Sequence, residues 1–266
     1  MILVAIAALF IGSAGAEEVS IRFRATVGKE DLRCGSSYSN IGVTKSTITP
    51  RDFRFYVHNV RLVTVTGGEV AVDLKQDGKW QYGGTALLDF EDGTGGCRNG
   101  TAEMHREVTG SVPAGGKYRA LRFALGVPMM QNHTELLSMP SPLNLTALSW
   151  VWNAGRKFAR LDFASTGAPR GYLVHLGSTG CTPNSSATRP PTQCASPNRV
   201  EVELTDFDPP RDEVIADLAA ILKDSNVDRL PGCMSEPDNP SCVPILKNFG
   251  TKAGQAQTFF RRGVRR

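Results

Sequence analysis

The sequence predicts an all-β protein, an antiparallel β sandwich with a C-terminal helix and disulfide-stapled loops. Three observations carry that expectation: apolar residues alternating with polar ones in many short segments, Gly and Pro between those segments, and six cysteines. VSIRFRATV sets Val19, Ile21, Phe23, Ala25 and Val27 against Ser20, Arg22, Arg24 and Thr26, the pattern of a strand with one wet face. FRFYVHNVRLVTV (53–65), VAVDLK (70–75), TALLDF (85–90), EVTGSV (107–112) and KYRALRFALGV (117–127) read as further strands. FARLDFAS (158–165), GYLVHLG (171–177) and RVEVELTDF (199–207) complete the set, with turns at EDGTGG, VPAGGK and MPSPLN. After Asp208-Pro209-Pro210, the residues Val214, Leu218, Ile221 and Leu222 recur at helical spacing and predict a helix packed on the sandwich.

The first residues predict export. Ile2 to Ile11 form a short apolar run that ends in small residues, with Ala14-Gly15-Ala16 as a cleavage site, so residues 1–16 read as a signal peptide. No Lys or Arg precedes the run, and no later stretch has the length of a transmembrane helix. A single β domain then spans 17–250, and 251–266 read as a basic, disordered tail. The tail holds Lys252, Arg261, Arg262, Arg265 and Arg266 without an acid, so removing its five charges takes the formal net charge from +4 to −1. A nearly neutral body argues against nucleic acid as a ligand.

In an oxidising compartment six cysteines are expected to pair, and sequence alone leaves the connectivity open. Cys181 with Cys194 and Cys233 with Cys242 look local, which leaves Cys34 and Cys97 as a long-range pair. No C-x-x-C spacing points to zinc.

The histidines carry the chemistry. In the 53–65 strand, Phe53, Phe55 and Val57 share one face, but the apolar phase switches at Val60 and Leu62. A β-bulge near His58-Asn59 would do this, and bulges re-aim side chains beside sites; an edge strand with a hydrogen-bonded histidine is the alternative. His133 follows Met129-Met130 and Asn132, a setting of thioethers and a second-sphere amide that suits copper, although Met pairs also fill cores. His175 points away from Tyr172, Val174 and Leu176 on its strand and is either a ligand or a solvent-facing histidine. His105, in EMHRE, lacks such a setting. Trp150 and Trp152 alternate with Val151 and would serve a core, a site or a stacking platform for sugars, whereas Trp80 lies in a turn-like segment. Signatures of a G-x-S-x-G nucleophile, an H-E-x-x-H zinc site, a phosphate loop and an EF-hand are missing.

FRFYVHNVRLV, ALLDFEDGTGGC, GVPMMQNH, PLNLTALSWVWNAGRKFARLDF, LVHLGSTGC and PGCMSEPDNPSC follow one another in this order. Together, over about Val19 to Phe249, they resemble the MbnP family, also called metallo-mystery pair four-Cys motif proteins. The resemblance implies a secreted or periplasmic copper-binding protein of copper homeostasis that is not itself an enzyme. It implies as partner a di-haem cytochrome c peroxidase-like protein of the MbnH type, which oxidises a tryptophan of this protein to kynurenine. Carried over, His58 and His133 become the leading copper ligands, with His175 as a third. Relatives can carry the modified tryptophan two residues before the first histidine, where this chain has Tyr56. The candidates are then Trp150 and Trp152, followed by Trp80. The competing expectation is a glycan- or protein-recognition module built on the Trp150 and Trp152 platform.

Overall fold

The structure, a computed structural model, describes residues 15–150, 155–183 and 190–266. Two sheets face each other. One runs Phe260–Val264, Asp212–Asp217, Ala16–Val27, Glu107–Pro113, Asp73–Leu74, with Glu30–Asp31 paired at the side of Ala16–Val27. The other runs Val200–Thr205, Tyr118–Leu125, Arg54–Thr64, Ala159–Arg160, Leu173–Leu176, Gly232–Cys233, and Thr85–Asp89 and Glu69–Ala71 also pair with Arg54–Thr64. The expected alternation explains the interior. Ile21, Phe23, Ala25 and Val27 are buried from one sheet and Phe53, Phe55 and Val57 from the other. Phe55 sits between the sheets, with ring centroids 6.0 Å from Phe23 and 5.4 Å from Phe260, so aromatic edges fill the gap that aliphatic side chains would leave.

The bulge in the long strand is present. Arg61 pairs with Arg122 but His58 pairs with Ala124, so three steps on one strand match two on the other. Asn59 takes up the extra residue at φ 53°, a left-handed conformation that Asn tolerates better than most side chains. All three disulfides form as the spacing suggested: Cys34–Cys97, Cys181–Cys194 and Cys233–Cys242.

Three expectations need correction. The sandwich is not wholly antiparallel, because Asp212–Asp217 runs parallel to Ala16–Val27 and Gly232–Cys233 runs parallel to Leu173–Leu176. The helix expected from Val214 begins only at Leu218. Val214, Ile215 and Ala216 belong to an inner strand buried on both faces, and such continuous burial mimics helical spacing. Asp217 ends that strand and caps the short helix Leu218–Leu222, its carboxylate accepting the Ala219 N–H at 3.0 Å. A second helix, Val243–Phe249, follows the last disulfide.

The tail is the third correction. Phe260–Val264 adds an edge strand against Asp212–Asp217, with Phe260 buried, and the Arg265 guanidinium donates to the Ser20 carbonyl at 2.8 Å. Its charges obscured the buried Phe259-Phe260 pair that anchors it. Among the described residues no helix is long and apolar enough to cross a membrane.

Candidate metal centre

The bulge turns His58 toward the end of the sheet where the loop after Tyr118–Leu125 leaves it. There its Nδ1 lies 2.9 Å from the carbonyl oxygen of Gly126. A carbonyl only accepts, so Nδ1 carries the proton and Nε2 keeps its lone pair. Burial pushes the imidazole pKa down to about 4, and the nearby Arg199 and Arg61 charges push the same way against the Gly126 contact. His58 is therefore neutral at physiological pH with its free nitrogen defined, the state in which imidazole binds a metal.

The His133 segment is linked to the His58 strand by a short relay. His58 stands opposite Thr85 in the sheet, and the Thr85 hydroxyl donates to Gln131 Oε1 at 2.6 Å on the one-turn helix Met129–Asn132. Met129 faces Arg199, whose Nη2 lies 3.8 Å from its sulfur, and Arg199 Nε donates to the Val127 carbonyl at 2.6 Å. Asn132 orients the next residue. Its Oδ1 accepts the Arg156 N–H at 2.8 Å, which leaves its Nδ2 to donate to His133 Nε2 at 2.9 Å.

Arg156 holds this segment. It is 1% exposed, and its Nη1 donates to the carbonyls of Gln131, Asn132 and Thr134 and to the Thr134 hydroxyl, while Nε donates to Leu143. A guanidinium with only carbonyl and hydroxyl acceptors thus satisfies the end of the turn that presents His133.

Trp150 completes the surroundings. It pairs in register with Gly155, and a Cβ on Gly155 would lie 3.3 Å from His133 Cε1. The indole is buried at 4% exposure, with its Cζ3 edge over Gly177. On the other side, His133 Nε2 is 3.6 Å from Cys194 Sγ and 3.8 Å from Cys181 Sγ. Those three ligand-type atoms lie within 4.8 Å of one another. The sulfurs are joined to each other, so they offer no thiolate and only the imidazole is a competent ligand.

The profile of the MbnP family matches residues 16–235. The chain belongs to the MbnP family. The solved structure of MbnP from Methylosinus trichosporium is similar to it with a TM-score of 0.83 and 28% identity, over 95% of this chain and 100% of that one. Comparison with curated proteins finds no match.

In this MbnP-family chain the remaining expected site residues go elsewhere. His175 is not solvent-facing: it is 6% exposed, and its Nε2 lies 2.9 Å from Asp162 Oδ1. It pairs with Arg160, which pairs with Arg54, four residues before His58 on the central strand. At about 3.3 Å per residue that offset alone is ~13 Å, so the structure does not bring His175 to His58. Trp80 stacks on His105, with centroids 5.2 Å apart and planes 1° from parallel, half-buried rather than free at the surface. Trp152 lies outside the described residues. Sequence reading missed Arg156 and Arg199. Both guanidinium groups donate to backbone carbonyls, contacts that carry no signal in the sequence.

Proposed function

We propose that this MbnP-family chain is an exported copper-binding protein of copper homeostasis that holds the metal with His58 and His133. The observation that carries the reading is the anchored, neutral His58, placed by its bulge at the end of the sheet that carries the Met129–His133 segment. The donor set fits the metal. Imidazole in a mostly buried setting, neutral at His58, suits a soft, cuprous ion better than a hard cation, which would want carboxylates. Copper would supply the redox and ligand-exchange chemistry of the centre. The chain's own contribution is to fix and shield the His58 Nε2 lone pair, while at His133 the metal would take the place of the Asn132 amide at Nε2.

The chain is read as the substrate of its partner rather than as a catalyst. The partner is a di-haem cytochrome c peroxidase-like protein of the MbnH type that converts a tryptophan to kynurenine. Two equivalents of hydrogen peroxide open the indole C2–C3 bond to N-formylkynurenine and are reduced to water. Hydrolysis then releases the C2 carbon as formate and leaves an aryl amine and a ketone beside the metal. Trp150 is favoured over Trp80 because its strand partner Gly155 packs on His133.

A recognition module with an aromatic platform is less favoured, since the buried Trp150 has no exposed face on which to stack a sugar. The deciding experiment is metal analysis and peptide mass spectrometry of the exported chain made with and without the partner. Bound copper, together with a Trp150 peptide that exchanges a carbon for an oxygen only when the partner is present, is the expected result. An unmodified chain without copper in both preparations would overturn the reading.

A further inference from the structure

The corner occupied by His175 borders a cleft of about 510 Å³ that the copper reading does not use. Its walls carry four guanidinium groups, Arg51, Arg98, Arg160 and Arg170, against one carboxylate, Asp162. That carboxylate is already engaged, with Arg160 Nε at 2.7 Å and His175 Nε2 at 2.9 Å. Among the described residues, Arg51, Arg98 and Arg170 form no ion pair with any carboxylate. Three positive charges therefore face the cleft without compensation.

Arg51 is built into position rather than left at the surface. Its Nη1 donates to the Arg170 carbonyl at 2.6 Å and its Nη2 to the Pro169 carbonyl at 2.7 Å, while its backbone N–H donates to the Asp162 carbonyl at 2.7 Å. Neutral acceptors orient the guanidinium without cancelling its charge. The backbone makes room for it as well. A Cβ on Gly171 would lie 3.1 Å from Arg51 Nη1, and one on Gly96 would lie 3.2 Å from Arg51 Cγ and 2.9 Å from the Pro50 carbonyl oxygen. The Cys34–Cys97 disulfide pins the loop that carries Gly96 and Arg98.

We infer that this cleft is a binding site for a small polyanion bearing two or more carboxylate or phosphate groups. Guanidinium forks match the paired oxygens of both groups, and a concave surface of one charge sign concentrates anions at its mouth. The volume falls in the range of small-molecule sites and is larger than one phosphate needs. Asp162 lines the cleft, with the buried His175 behind it holding the carboxylate in place while Asp162 in turn aims Arg160.

The test is calorimetric titration of the full exported chain with pyrophosphate and, separately, with tricarballylate. Two variants accompany it: Arg98→Glu with Arg170→Glu, and, as a control of equal charge change elsewhere, Lys29→Glu with Lys223→Glu. All four positions are exposed. Arg98→Gln with Arg170→Gln serves if reversal disturbs the fold by circular dichroism. Saturable binding of either probe, weakened about tenfold or more by the arginine variants and left unchanged by the lysine control, supports the site. Tighter tricarballylate assigns it to carboxylates, and tighter pyrophosphate assigns it to phosphoryl groups. Saturation by neither probe, or equal weakening in the arginine and lysine variants, overturns it.

Discussion

The indole of Trp150 occupies the space that Gly177 leaves by lacking a side chain: a Cβ on Gly177 would meet Cζ3 at 2.3 Å and Cη2 at 2.6 Å. Gly177→Ala therefore has to move a buried ring. The expected cost is about 1–3 kcal/mol in urea unfolding, the range for overpacking. If Trp150 is the residue oxidised by the partner, the same variant should also lower the yield of the kynurenine peptide, read by mass spectrometry.

Arg156 supports the His133 segment through five donated hydrogen bonds. Arg156→Leu leaves the carbonyls of Asn132, Thr134 and Leu143 without their donor in a buried place. A loss of about 2–4 kcal/mol is expected from unsatisfied buried acceptors, along with weaker copper binding. Lysine lacks the planar fork, so Arg156→Lys should recover only part of either loss. Denaturant titration and a competitive copper titration read the two effects separately.

Under the proposed function, His58→Ala and His133→Ala each lower copper affinity steeply while the fold persists. His175→Ala has the opposite profile. It leaves copper binding intact and destabilises the fold by about 1–3 kcal/mol, because Asp162 loses a buried hydrogen-bonding partner. Copper stoichiometry beside thermal melts distinguishes the two patterns, and equal copper loss in all three variants would return His175 to the site.

Glu91 and Asp89 make stability depend on pH. Burial, helped by the neighbouring Asp52 and Asp89 carboxylates, pushes the Glu91 carboxyl up to about 8, and burial pushes Asp89 up to about 7. Both folded values lie above the ordinary ones of 4.5 and 3.8, so across this interval the native state holds protons that the unfolded chain has released. Their contribution to stability is thus fully present below the ordinary carboxyl values, falls as pH rises toward 8, and is lost beyond. Glu91→Gln removes that titration and should flatten the upper part of the decline, seen as a smaller drop in Tm between pH 5 and pH 8.

Alternation made much of the sandwich readable, because a sheet with one wet face writes its orientation into every second residue. Val19 to Val27 and the slip at His58 are the clearest cases. Asp212–Asp217 was unreadable for the converse reason: a strand covered on both faces has no alternation to show. The proposed ligands His58 and His133 were visible through local context, a phase break and a Met pair. His175 misled, because its opposition to Tyr172, Val174 and Leu176 fixed its face but not what covers that face. Asp162 covers it, from a neighbouring chain segment that spacing within one strand does not reveal. Arg156 was hidden because its acceptors are backbone carbonyls, which leave no mark in a sequence.

The strand Ala16–Val27 takes one neighbour from Glu107–Pro113 and the other from Asp212–Asp217, and the second is flanked in turn by Phe260–Val264. A chain threaded through a membrane from its first residues would deliver this strand early and its companions late. Until the final segment arrives, one long ladder of amide groups stands open to any passing extended peptide. Fusions or truncations at the carboxyl end should therefore be judged by the yield of correctly assembled protein, and a label placed at that end risks displacing the strand that covers Asp212–Asp217.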